Sequence, residues 1–97
     1  MAEWTFLTNH ARVLILLAHR PKITARDLST LIGITERSVR SIIADLESEG
    51  YIEKMKEGRR TSYKIHTNLP FRHPTQKDHS IEKLLRAMGC KLTKKNN

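Results

Sequence analysis

Ninety-seven residues with 38% hydrophobic content make one small domain with a modest core, too short to hold a separate sensor domain. The formal charge is +8 and all of it lies in the second half: residues 1–50 hold six Lys/Arg against six Asp/Glu, residues 51–97 twelve against four. That asymmetry implies an anionic partner, nucleic acid first among them, and the single cysteine, Cys90, excludes an internal disulfide.

The first residues, Met1 to Leu7, carry Trp4, Phe6 and Leu7, a heavy apolar load for a terminal arm. The arm suits either packing on its own domain or a contribution to a dimer. Thr8 or Asn9 can cap a first helix that reaches about His19. Its centre, Val13 to Leu17, is apolar almost all round, so it wants burial on more than one side, and a partner subunit meeting Leu16 would supply it. The longest apolar run, Val13 to Ala18, is six residues and cannot span a bilayer. No basic-then-apolar secretion signal is present. With a lone cysteine suited to a reducing compartment, a cytoplasmic protein without a membrane partner is expected. Pro21 ends the helix, because the residue before a proline avoids helical geometry. Lys22-Ile23 could then form a minimal strand.

Thr24 can cap a second helix over Ala25–Ile32, whose apolar residues Ala25, Leu28, Leu31 and Ile32 have helical spacing. Gly33 supplies the freedom to turn, Ile34 follows as a buried pin, and Thr35 caps a third helix. A short helix, a glycine turn and a longer helix make a helix-turn-helix signature. In the third helix, Thr35 to Glu49, the core stripe is Val39, Ile42, Ile43 and Leu46, within an arc of about 100°. The opposite arc collects Arg37, Arg40, Ser41, Ala44 and Ser48, while Asp45, Glu47 and Glu49 crowd the last turns. This polarity opposes the helix dipole, which favours anions at the start and cations at the end. A helix whose front meets polyanionic DNA would be arranged this way. Arginine's fork matches a guanine edge or a phosphate. On this reading Arg37, Arg40 and Ser41 approach bases, Thr35 and Ser38 hold phosphate, and Glu36 can accept from a cytosine amino group.

Gly50 closes the third helix. Tyr51 to Met55 reads as a strand and Thr61 to His66 as its return, joined by a basic loop from Lys56 to Arg60. Lys56, Arg59 and Arg60, opposed only by Glu57, make this tip a second candidate DNA contact. Tyr51, Ile52, Tyr63 and Ile65 are available to seat the ribbon on the helices. Asn68 to Pro74 is a proline-punctuated connector. Thr75 to Asp78 loosely matches a capping box, which predicts a last helix from Thr75 to the stop at Gly89. Its stripe of Ile81, Leu84, Leu85 and Met88 needs cover, either from the first helix or across a twofold axis. Lys91 to Asn97 is a basic tail. The candidate dimer interface is therefore Trp4, Phe6, Leu16, Ile81, Leu84, Leu85 and Met88. Residues 1–70 form the DNA-binding unit with its arm, and residues 71–97 the terminal helix and tail of the same compact domain.

The order of helix, short strand, helix-turn-helix, basic hairpin and terminal helix resembles the winged helix-turn-helix regulators, particularly the ArsR-like and MarR-like families. The resemblance rests on DLSTLIGITERSVRSIIADLESEGYI (Asp27 to Ile52) and KEGRRTSYKI (Lys56 to Ile65), the second similar to an ArsR-type wing in its Gly58, Arg59 and Tyr63. It implies a mainly α fold with a small β-hairpin wing and a C-terminal dimerisation helix. It further implies a homodimeric transcription regulator whose third helix enters the major groove of double-stranded DNA while the wing follows the backbone or minor groove. The cysteine pair by which many ArsR-like repressors sense metal is missing. His79 and Glu82 stand three apart on one helix face, but Asp78 and His79 are adjacent where that family's second site has Asp-x-His. MarR-like proteins have longer helical extensions around a ligand cavity. No cofactor or metal is expected, and the sequence does not name a small-molecule effector. His10, His19, His66, His73 and His79 are scattered, and no phosphate loop or paired ligand motif occurs, so an enzyme is not expected. Competing functions are a winged protein-interaction module and an RNA or replication-origin binder.

Overall fold

The computed structural model describes residues 4–90 and 92. The first three residues of the arm, and the basic tail apart from Leu92, lie outside the described residues. The elements run α1 (Asn9–His19), α2 (Ala25–Ile32), α3 (Glu36–Ser48), β1 (Ile52–Glu57), β2 (Arg60–Ile65) and α4 (Ile81–Ala87).

Three threonines start the first three helices by one device. Thr8 accepts from the Ala11 amide, Thr24 from the Asp27 amide and Thr35 from the Ser38 amide, each satisfying one of the amides that a helix start leaves without a partner. Gly33 stands at φ 88°, a left-handed backbone that a side chain would strain, and this lets the chain swing from α2 into α3 within three residues. Ile34 is only half-buried there, a looser pin than its sequence suggests.

α1 sits at the centre. It packs on α2, α3 and β2, and Val13, Leu14, Ile15 and Leu17 are all buried. Against these lie Leu28 of α2, the α3 stripe of Val39, Ile42, Ile43 and Leu46, and Ile81, Leu85 and Cys90 from the C-terminal segment. Burying each such side chain contributes about 1.5–3 kcal/mol before the cost of ordering it. The Cys90 Sγ approaches the Ile15 carbonyl oxygen at 3.9 Å. The cover that an all-round apolar first helix demands thus comes from α2, α3 and the hairpin, with Cys90 added from the C-terminal segment. Burial also holds the Cys90 thiol above its ordinary pKa, as the neutral form.

The hairpin is antiparallel with Ile52 opposite Ile65, Lys54 opposite Tyr63 and Lys56 opposite Thr61 on one face. Glu53 opposite Lys64 and Glu57 opposite Arg60 put opposite charges across from each other on the other face. The tip is tighter than the sequence suggests. Only Gly58 and Arg59 lie outside the strands, with Gly58 at φ 64° as the first central residue of a two-residue hairpin turn. Lys56 and Arg60 are strand residues.

Two further expectations are corrected. Lys22-Ile23 is not a strand, because the Ile23 amide turns back to the Arg20 carbonyl at 3.0 Å. The segment meets the hairpin through the Tyr63 amide, which donates to the Pro21 carbonyl at 3.1 Å, and through Lys22 Nζ, 3.9 Å from Glu57 Oε1, not through a strand pairing. The last helix begins at Ile81, six residues after Thr75. The Thr75 amide and hydroxyl both meet His73 Nδ1, at 3.1 and 2.8 Å, and no residue from Thr75 to Ser80 is apolar enough to face a core. The amides of Ile81 and Glu82 instead donate to the Leu69 and Thr67 carbonyls at 2.8 and 3.0 Å.

The connector is held from the other side by Tyr51. Its hydroxyl donates to the Pro70 carbonyl at 2.6 Å, and burial raises its pKa, reinforced by Glu49 and opposed by Arg72. Tyr51→Phe is expected to lower stability by about 0.5–1.5 kcal/mol in urea unfolding, without altering DNA affinity. An unchanged urea midpoint would show that this hydrogen bond does not anchor the connector.

Candidate nucleic-acid interface

The exposed side of α3 presents Arg37, Arg40, Ser41, Ala44 and Ser48, every one of them solvent-accessible. The front of this helix is built by its cap. The Thr35 hydroxyl accepts from the Ser38 amide and donates to Ser38 Oγ, both at 3.0 Å, which leaves the Ser38 hydroxyl proton free for an outside acceptor. One turn on, Arg40 Nη2 lies 3.3 Å from Glu36 Oε1, with the Arg40 side chain 68% exposed. Such a pair is worth about 0–1 kcal/mol and gives way readily to a stronger partner. Arg37 is in no ion pair among the described residues.

The hairpin stands beside this face. Between it and α3 runs an open groove of about 760 Å³ that also reaches the start of α2. Arg40 lines it from α3, Arg59 and Arg60 from the tip, and Lys54 and Tyr63 from the strands. Lys22 and Thr24 join from the segment before α2. Lys56 is exposed on β1 but does not line the groove. Tyr63 is half-buried. Its pKa is raised by burial and by Glu47, with Arg40 pulling the other way, so its hydroxyl remains a donor at neutral pH.

Sequence reasoning missed Lys22, Thr24, Lys54 and Tyr63 as members of this surface. Strand alternation could have placed Lys54 beside Tyr63 once the two were known to pair. Nothing local could have brought Lys22 there, since the contact depends on how the hairpin folds back over the Pro21 turn.

The residues expected at a dimer contact separate into two groups. Ile81 and Leu85 are buried in the chain's own core, Leu16 is half-buried against it and Leu84 is half-buried, so α4 is not a free apolar stripe. Trp4 is 67% and Phe6 91% exposed, with their rings edge to face at 5.1 Å. Leu31 and Met88 are also exposed and line, with Leu7, Ile15, Leu16 and Ile32, an apolar groove of about 610 Å³ in which Arg12 is the one charge.

His79 and Glu82 are turned to other partners: His79 Nδ1 lies 3.1 Å from Lys83 Nζ, and Glu82 pairs with Arg86 at 2.7 Å. Among the described residues no three His, Cys, Asp or Glu side chains gather as metal donors. No helix among them is long and apolar enough to cross a membrane.

Four helices with a two-stranded antiparallel wing after the helix-turn-helix are a winged-helix arrangement. Residues 7–53 match the family model described as winged helix-turn-helix DNA-binding. The matched segment runs from just before α1 into β1, so most of the hairpin and all of α4 lie beyond it. No curated protein matches the chain.

Proposed function

We propose that this winged helix-turn-helix domain is the core of a homodimeric, sequence-specific transcription regulator that reads double-stranded DNA. α3 enters the major groove, and Arg37, Arg40 and Ser41 approach base edges there. Ser38 and Thr35 meet phosphate at the helix start, and Glu36 is placed to accept from a cytosine amino group when Arg40 leaves it. Lys56, Arg59 and Arg60 carry the wing onto the backbone or into the adjacent minor groove. The observation that carries this reading is the exposed face of α3, with two arginines beside Ser41 and Ala44 and no covering element among the described residues.

The second copy is supported by the apolar groove beside the arm. Leu31 and Met88 expose large apolar side chains in it, Trp4 and Phe6 expose theirs on the arm that enters it at Leu7, and Arg12 is the one charge of the lining, as suits the centre of an interface. A twofold axis through this face would give the pair of recognition helices a palindromic target, with half-sites about one helical turn apart.

Selection of bound sequences from a random duplex pool tests both parts. The expected result is an enriched inverted repeat with half-site centres about 10–10.5 base pairs apart. Failure to retain duplex even at low salt would overturn the DNA reading and favour a protein-interaction module. Enrichment of a single unrepeated half-site would overturn the dimer.

A further inference from the structure

We propose that the groove between α3 and the hairpin is a channel for the backbone of one DNA strand, with Lys22 and Lys54 holding phosphates and Glu47 restricting which phosphates enter. The inference rests on the DNA-binding reading above and adds to it three residues outside the recognition face and the wing tip.

The five cations of the groove are Lys22 before α2, Arg40 on α3, and Lys54, Arg59 and Arg60 on the hairpin, three parts of the chain that the fold brings together. Lys22 has Glu57 at 3.9 Å and Arg40 has Glu36 at 3.3 Å, both solvent-exposed pairs that a phosphate can displace. Among the described residues Lys54, Arg59 and Arg60 have no carboxylate partner within ion-pair distance. A concave surface with this charge concentrates potential and draws in a polyanion. Tyr63 is the one aromatic residue of the lining, so there is no row of rings on which splayed bases could stack. The groove therefore suits a backbone whose bases are turned away into a duplex.

Glu47 is the one acidic residue that lines the groove, and no cation lies within ion-pair distance of it among the described residues. Its charge repels any phosphate that comes to rest beside it. Arg40 and Glu47 both line the groove from α3, two turns apart, so a duplex docked with Arg40 on its base and one shifted along α3 present different phosphates to the carboxylate. The carboxylate thereby weakens out-of-place binding, which is discrimination through repulsion.

The test measures the full chain and its Lys22→Ala, Lys54→Ala and Glu47→Gln variants on a selected site and on random-sequence duplex across a salt series. Each lysine variant should weaken both duplexes several-fold and flatten the log–log salt slope by about 0.9. Glu47→Gln should tighten random duplex several-fold while the selected site gains less, narrowing the ratio between them. A gain in affinity cannot arise from a damaged fold. If wild type binds duplex but the lysine variants leave the slope unchanged, or Glu47→Gln fails to tighten random duplex, the channel is overturned and the DNA reading stands. If wild type itself retains no duplex at low salt, the DNA reading falls with it.

Discussion

Leu85→Ala is expected to cost the fold about 2–5 kcal/mol, a large part of the roughly 5–15 kcal/mol available to a domain of this size. Leu85 is 0% exposed and shares one core with α1 and α3. Removing its branched end leaves a cavity in that shared core, and close-packed neighbours relax into such a space only in part. The helix end is also tied down there: the Cys90 amide donates to the Leu85 carbonyl at 2.9 Å while the Cys90 thiol lies against α1. Urea unfolding should show the loss at every protein concentration, because the contact is within one chain. A midpoint whose shift appears only at concentrations that dimerise the wild type would mean that α4 is instead stabilised across a subunit contact. Met88→Ala supplies the contrast. Its side chain is 44% exposed, so monomer stability should move by no more than about 0.5 kcal/mol, while association of two copies should weaken.

The second large effect belongs to Arg40. On the proposed function, in which Arg40 reads a base, Arg40→Ala should cost about 1–3 kcal/mol on the selected duplex and much less on random duplex, the loss expected of a bidentate base contact. Arg59→Ala, at the turn of the hairpin, should weaken both duplexes alike and flatten the salt slope by about 0.9, as for a phosphate contact. The two residues thus separate reading from holding. Equal losses on both duplexes for both variants would remove the base-reading role from α3. Arg40→Lys sharpens the comparison, since an ammonium keeps the charge but lacks the planar fork.

The first three helices, their threonine caps and the Gly33 turn were legible because their causes are local. A hydroxyl reaches an amide three residues ahead, and a 3.6-residue stripe names its buried face before the partner surface is known. The same periodicity identified the exposed front of α3, the heart of the candidate interface. The last helix misled for a related reason. Thr75 to Asp78 has the pattern of a cap, but capping contributes only about 1 kcal/mol, and a polar segment without a core-facing side cannot hold a helix on that alone. The turn around His73 and the carbonyls of Leu69 and Thr67 set the start at Ile81 instead.

Charge, helix periodicity and turn chemistry, all readable along the chain, determined a helix-turn-helix with a basic hairpin behind it. Tertiary structure decided what those signals leave open: that α4 closes the chain's own core, and that Lys22, Lys54, Tyr63 and Glu47 share a groove with Arg40. The reason is the range of the forces. Caps and stripes act within a few residues, whereas the groove and the seating of α4 depend on bringing together segments from 14 to 75 positions apart, Arg40 and Lys54 on one groove and Cys90 against Ile15.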